Sequence, residues 1–171
     1  MLNLIAALRK SCLQENWYAA LYMALSLPDI CAKLLEPGSS NAGRRYQAWF
    51  DKYLKPHYAG GADGHQFLTS ADCWALRCSL LHEGSSEISS QRSRDVLSRV
   101  IFTTQAIHLM HLNDVLVLNV SAFCEVMIAG VESWMEDFRS DEAVQDRIRG
   151  MARVETGTFR PIPGVRVGSP Y

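Results

Sequence analysis

No run of about 18 consecutive apolar residues occurs in this 171-residue sequence, so it is not expected to span a membrane. The apolar stretch Met1 to Leu8 is followed, not preceded, by Arg9 and Lys10, which reverses the order of a secretory signal. Charge of one sign is also lacking. Seventeen Lys and Arg against 18 Asp and Glu leave a formal net charge of -1, so no overall positive field draws the chain to nucleic acid or lipid. Any such partner must meet a local patch. Cysteines are five, an odd and scattered set. The one close pair, Cys73 and Cys78, has a spacing that fits neither a zinc knuckle nor a redox Cys-x-x-Cys. Reduced thiols in a cytoplasmic protein are expected. A glycine-rich phosphate loop, a dinucleotide fingerprint, a nucleophile elbow and a paired-His protease motif are all missing. Neither a cofactor nor a structural metal is expected.

What is present is an ordinary globular composition, 48% apolar and 20% charged, of a length suited to one domain. Leu4, Ile5, Leu8 and Cys12 share one helical face, and Trp17, Ala20, Leu21, Ala24 and Leu25 share another. Pro28 is expected to interrupt the second helix and to open a new one. Between Arg44 and Lys55, the residues Tyr46, Trp49, Phe50, Tyr53 and Leu54 fall at i, i+3, i+4, i+7 and i+8 and predict an aromatic-rich buried face. Pro56 stops that helix, and a glycine-rich loop runs from His57 to Gln66. The stretch Gly84 to Asp95 reads as a mobile loop or a short exposed helix. Val100–Thr103, Ile107–Met110 and Val115–Leu118 carry strand composition, with Asn113-Asp114 as a turn. Phe123, Met127, Gly130, Val131, Trp134 and Phe138 trace another helical face, and Ser140 is expected to cap a last helix. The fold expected is mainly α: a single-domain helical bundle over residues 1–155 with a small antiparallel β insertion near 98–119, then a Pro- and Gly-containing tail over 156–171.

The segment that carries chemistry begins at Thr69-Ser70-Ala71-Asp72, a hydroxyl cap with a carboxylate in the first turn, and runs through Trp74, Arg77 and Cys78 to His82. Gly84-Ser85-Ser86 ends it. Five residues of helix place Arg77 and His82 about 140° apart and about 7.5 Å along the axis, so in one straight helix they are not expected to point at one spot. A two-fold partner helix would bring the arginine of one subunit to the histidine of the other. At a helix C-terminus the dipole favours the protonated imidazole, useful in acid–base work, and a guanidinium neutralises a scissile phosphate. The structural alternative pairs Arg77 with Asp72 or Glu83 and makes His82 a cap for the last carbonyls.

Arg77-Cys78-Ser79-Leu80-Leu81-His82 resembles the Arg-x(4–6)-His signature of the HEPN superfamily. The resemblance covers this helix, and the helix-rich order around it agrees loosely. It implies an α-helical homodimer in which two motifs meet at a shared cleft and cut RNA without a metal, with Arg77 and His82 as the catalytic positions. Cys78 stands where RNA-cutting members usually carry a polar residue, often asparagine. Many members are catalytically silent, so the resemblance also implies an alternative, a non-catalytic dimeric interaction module. The bacterial, cytoplasmic, defence or toxin setting is likewise only what the resemblance implies.

Other residues carry weaker signals. Arg92, Arg94 and Arg99 form the one dense basic stretch and are the candidates for contacting substrate phosphates, with a solvated loop as the alternative. His57, Asp63 and His65 share a loop that three glycines leave poorly preorganised for a metal. His108 and His111 are expected on opposite faces of a strand, in structural roles. Asp29 and Glu36 show no matched partner. Cys78 reads as a small buried residue, and the four tryptophans as core.

Overall fold

The computed structural model describes residues 1–60 and 64–168. Two helices open the chain, α1 (Leu2–Leu13) and α2 (Trp17–Leu35), followed by α3 (Ala42–Tyr53) and a short 3-10 turn (Lys55–Tyr58). A hairpin, β1 (Ala59–Gly60) with β2 (His65–Gln66), leads into α4 (Ser70–Glu83). The strands β3 (Arg99–Thr103), β4 (Met110–Leu112) and β5 (Val115–Asn119) precede α5 (Val120–Asp137) and α6 (Glu142–Arg149). The mainly α fold with small β elements is as expected.

The helix α2 is the centre of the bundle, packed against α1, α3, α4, α5 and α6. That position accounts for a helix apolar enough, by length and composition, to cross a membrane. Pro28 does not break it. The helix runs through, forgoing the hydrogen bond to the Ala24 carbonyl, at a cost of about 3 kcal/mol. Ending the helix there would pull Leu27, Cys31 and Ala32 out of a core in which all are buried. At roughly 1.5–3 kcal/mol for a large apolar side chain, burial wins.

The helix α3 buries its expected aromatic face, Tyr46, Trp49, Phe50 and Tyr53, and Asn41 caps it by accepting the Arg44 N–H. In α5 the face from Phe123 through Met127 and Val131 to Trp134 is buried. The cap of α6 is Asp141, which accepts the Val144 N–H at 3.0 Å, and not Ser140. A carboxylate at that position stabilises the helix N-terminus more than a hydroxyl one residue earlier.

The insertion is a mixed sheet, ordered β3-β5-β4. Met110 to Leu112 pair antiparallel with Val115 to Val117 around an Asn113-Asp114 turn, where Asn113 takes φ +57°. The β3–β5 pair is parallel, contrary to the expected all-antiparallel arrangement. Residue alternation says which faces are buried but not which way a neighbour runs; the connection decides that, and here β4 itself forms the crossover. The second strand is also shorter and later than expected, because Leu109 sits at φ +55° and turns the chain before Met110. The segment before β3 is not a helix, and its ends are tied to the fold: Ile88 and Leu97 are buried, Ile88 N–H donates to the Ser98 carbonyl at 2.7 Å, and Val100 N–H to the Ser86 carbonyl at 3.0 Å. Residues 152–168 lie outside the helices and are largely exposed, tied locally by Phe159 and Val167.

Gly130 lets α5 close on α3. A Cβ there would collide with Leu54 Cδ2 and come within 3.1 Å of Trp49 Cη2. Gly130→Ala is expected to destabilise the protein by about 1–3 kcal/mol, read as a lowered urea midpoint at unchanged slope. A second expectation concerns acid. Burial holds the His108 pKa below its ordinary 6.5, and its Nδ1 accepts the Asn119 N–H at 3.2 Å, which requires a bare nitrogen. The unfolded chain therefore takes up this proton more readily, and stability contributed at higher pH is lost as pH falls below about 6.5. In His108→Asn, whose amide oxygen also accepts, urea midpoints between about pH 7 and pH 5 should vary less than in the parent.

Candidate functional site

The helix α4 begins as its sequence dictates. Thr69 Oγ1 accepts the Asp72 N–H at 3.1 Å and donates to Asp72 Oδ2 at 3.0 Å. The Asp72 carboxylate is buried, and it does not pair with Arg77. Its Oδ1 accepts the backbone N–H groups of Asp95 at 2.7 Å, Val96 at 3.2 Å and Leu97 at 3.3 Å. A buried anion satisfied by convergent amides is stable where an unpaired one is not, so this cluster fixes the segment 85–98 against α4. At the other end Gly84 takes φ +67°, its N–H donates to the Leu80 carbonyl at 3.1 Å and the Ser85 N–H to the Ser79 carbonyl at 3.3 Å, closing the helix just after His82.

Arg77 leaves α4 half-buried, with its guanidinium over the Trp74 ring at 5.2 Å. The indole in turn packs on Gly43 of α3, where a Cβ would stand 3.0 Å from Trp74 Nε1, and beside Tyr46 at 5.2 Å. Arg77 Nη2 donates to Asp29 Oδ2 at 2.9 Å, with both side chains mostly shielded. Arg77 Nη1 lies 3.0 Å from Nε2 of His82, which is exposed. Arginine and histidine of one helix therefore do meet, against the angular expectation. The angle counts Cβ directions, whereas the imidazole leans back toward the helix N-terminus and the long guanidinium stem extends to it. A guanidinium has no acceptor, so in this contact Nε2 of His82 accepts and the ring proton sits on Nδ1.

Asp29 was not singled out by spacing, yet it orients the site. The signal is visible in hindsight: one carboxylate in an otherwise uncharged stretch, Leu25 to Ala32, demands a partner once that stretch is a core helix. Its reach to α4 depends on α2 continuing past Pro28. Cys78 is half-buried, and burial pushes its thiol up, so at neutral pH it is a thiol and not a nucleophile.

The three arginines of the basic stretch differ. Arg99 donates twice to Glu87, at 2.8 and 2.5 Å. Arg94 donates to the Ser89 and Leu97 carbonyls, holding the loop. Arg92 is exposed and makes no hydrogen bond among the described residues. A cleft of about 510 Å³ opens beside the end of α4, between Tyr18 and Leu21 of α2, Gly84 to Glu87, and Arg99, Ile101 and Phe102 of β3. Arg99 faces it; the structure places Arg94 in loop-holding contacts instead. Among the described residues no group of three His, Cys, Asp or Glu side chains is arranged to hold a metal. Asp63, from the loop of His57 and His65, lies outside the described residues. His108 and His111 do not converge: His108 faces the Asn119 amide, and His111 lies 3.0 Å from His65.

No protein-family model, no curated protein and no solved structure matches this chain.

The amide cradle makes Asp72 the residue on which the site's surroundings hang. Asp72→Asn, which removes the charge and turns an N–H toward other N–H groups, is expected to cost about 2–4 kcal/mol in urea unfolding. The same variant should be cut by a protease between residues 85 and 98 under conditions that leave the parent intact.

Proposed function

We propose that this protein is a HEPN-like cytoplasmic homodimer that binds RNA and cleaves it at Arg77 and His82 without a metal. The observation that carries this reading is the 3.0 Å contact between a guanidinium and an exposed imidazole at the end of α4, with Asp29 bracing the guanidinium from α2. An incoming phosphate competes for Arg77 Nη1 as a stronger acceptor than an imidazole, which frees His82 Nε2. The ribose 2′-oxygen then attacks the adjacent phosphorus and gives its proton to the freed nitrogen, while the bond from phosphorus to the 5′-oxygen breaks and that oxygen takes a proton. In a two-fold dimer the second copy's imidazole, protonated and released from its own arginine contact, supplies that proton and is left neutral. The products are a 2′,3′-cyclic phosphate and a 5′-hydroxyl. Arg77 offsets the charge that builds on the phosphate oxygens. The cleft beside Gly84, with Arg99 on its wall, is the place for the flanking nucleotides. The bacterial defence or toxin setting rests on the resemblance of the motif helix.

A second reading has its own observation. Asp29 already neutralises Arg77, and Glu83 and Glu87 stand nearby in sequence, which suits a dimeric interaction module with no turnover.

Cleavage of several RNAs by the purified chain in excess chelator separates the two. The first reading expects cyclic-phosphate ends, with cutting lowered roughly 10²–10⁴-fold in His82→Ala and Arg77→Ala. Full activity in His82→Ala, or no cutting by the parent at any pH tried, overturns it, and the latter outcome leaves the interaction module.

A further inference from the structure

We propose that His65 and His111 form a two-imidazole site for a divalent first-row transition metal of the imidazole-preferring kind, Cu²⁺, Ni²⁺ or Zn²⁺. The two residues are 46 apart in sequence, one on the β1–β2 hairpin and one on β4, yet His65 Nε2 lies 3.0 Å from His111 Nδ1. The rings stand almost perpendicular, at 85°, with centroids 5.0 Å apart.

The remaining contact of His111 decides what that pair can bind. Its Nε2 lies 2.9 Å from the Phe67 carbonyl oxygen. A carbonyl only accepts, so Nε2 carries the proton and Nδ1 presents a bare lone pair. A ligating histidine whose other nitrogen donates to a backbone carbonyl has its tautomer and ring orientation set for metal. The facing nitrogen of His65 now donates a hydrogen bond into that lone pair. Moving the His65 proton to its Nδ1 makes both nitrogens donors to a cation.

The spacing suits this. Metal–nitrogen bonds of about 2.0–2.1 Å across the 3.0 Å gap subtend roughly 90–100°, the angle between adjacent positions of a square-planar or octahedral ion such as Cu²⁺ or Ni²⁺. Widening by a few tenths of an ångström gives the tetrahedral angle of Zn²⁺. Phe67 walls the pair, edge-on to His65 at 4.9 Å and tilted to His111 at 5.3 Å. Gly60 admits that ring, because a Cβ there would stand 3.0 Å from Phe67 Cε2. His65 is exposed, so water completes the coordination. The bound ion ties the hairpin to the three-stranded sheet and stabilises the fold by linkage.

The test is calorimetric titration of the full-length apo-protein with Ni²⁺, with absorption spectra recorded alongside. One equivalent is expected to bind without a thiolate-to-nickel charge-transfer band and to raise the thermal midpoint. His65→Gln and His111→Gln should each weaken binding roughly tenfold or more. His65 is exposed, so His65→Gln is expected to keep the metal-free urea midpoint of the parent, which makes its loss of binding a loss of ligand. Binding as tight as the parent in His65→Gln, a thiolate band, or no binding by the parent overturns the proposal.

Discussion

The buried carboxylate of Asp72 is the constraint on which the rest of the site depends. It lies in the first turn of α4, and its oxygens gather the amides of Asp95, Val96 and Leu97 as well as the Thr69 hydroxyl. Through that cradle one charge decides where α4 starts, where the long connection lies, and where β3 enters the sheet. The connection then carries Glu87 to Arg99 and Arg94 to its own carbonyls, so two of three arginines are committed to structure. Without the anion, three convergent N–H groups would face one another in a desolvated place.

The second constraint is the unbroken α2. It delivers Asp29 to Arg77 across the bundle, and Arg77 is then held on three sides, by a carboxylate, an indole and an imidazole. Holding a guanidinium this firmly has two opposed effects. It preorganises the group for the phosphate that the proposed cleavage requires, and it spends part of the charge that such a phosphate would meet. The balance between those effects separates an enzyme from an interaction module.

Much of this was legible in the residues. The faces of α1, α3 and α5, the Thr69 cap, the Gly84 stop and the Asn113-Asp114 turn follow from local rules that the packed structure obeys. What was not legible is non-local. Pro28 obeys a local rule only when burial on either side is worth less than the lost hydrogen bond, and here it is worth more. Asp29, the parallel partner of β5 and the meeting of His65 with His111 depend on which segments lie side by side, and spacing along the chain carries no record of that. The contact of Arg77 with His82 was misread for a smaller reason: helical angles describe where side chains begin, not where long ones end.

The parallel strand has one more consequence. With β5 in the middle, the sheet has two open margins, and an open margin invites pairing with another chain and hence aggregation. One is covered from within, because Ser86 and Ile88 lay their backbone along β3 through the Val100 and Ser98 bonds. The other is β4, only three residues long and bounded by Leu109 and Asn113, both at positive φ, which bend the chain out of register on either side. The serine-rich connection is thus a guard rail as well as a linker, and it protects the molecule from its own sheet.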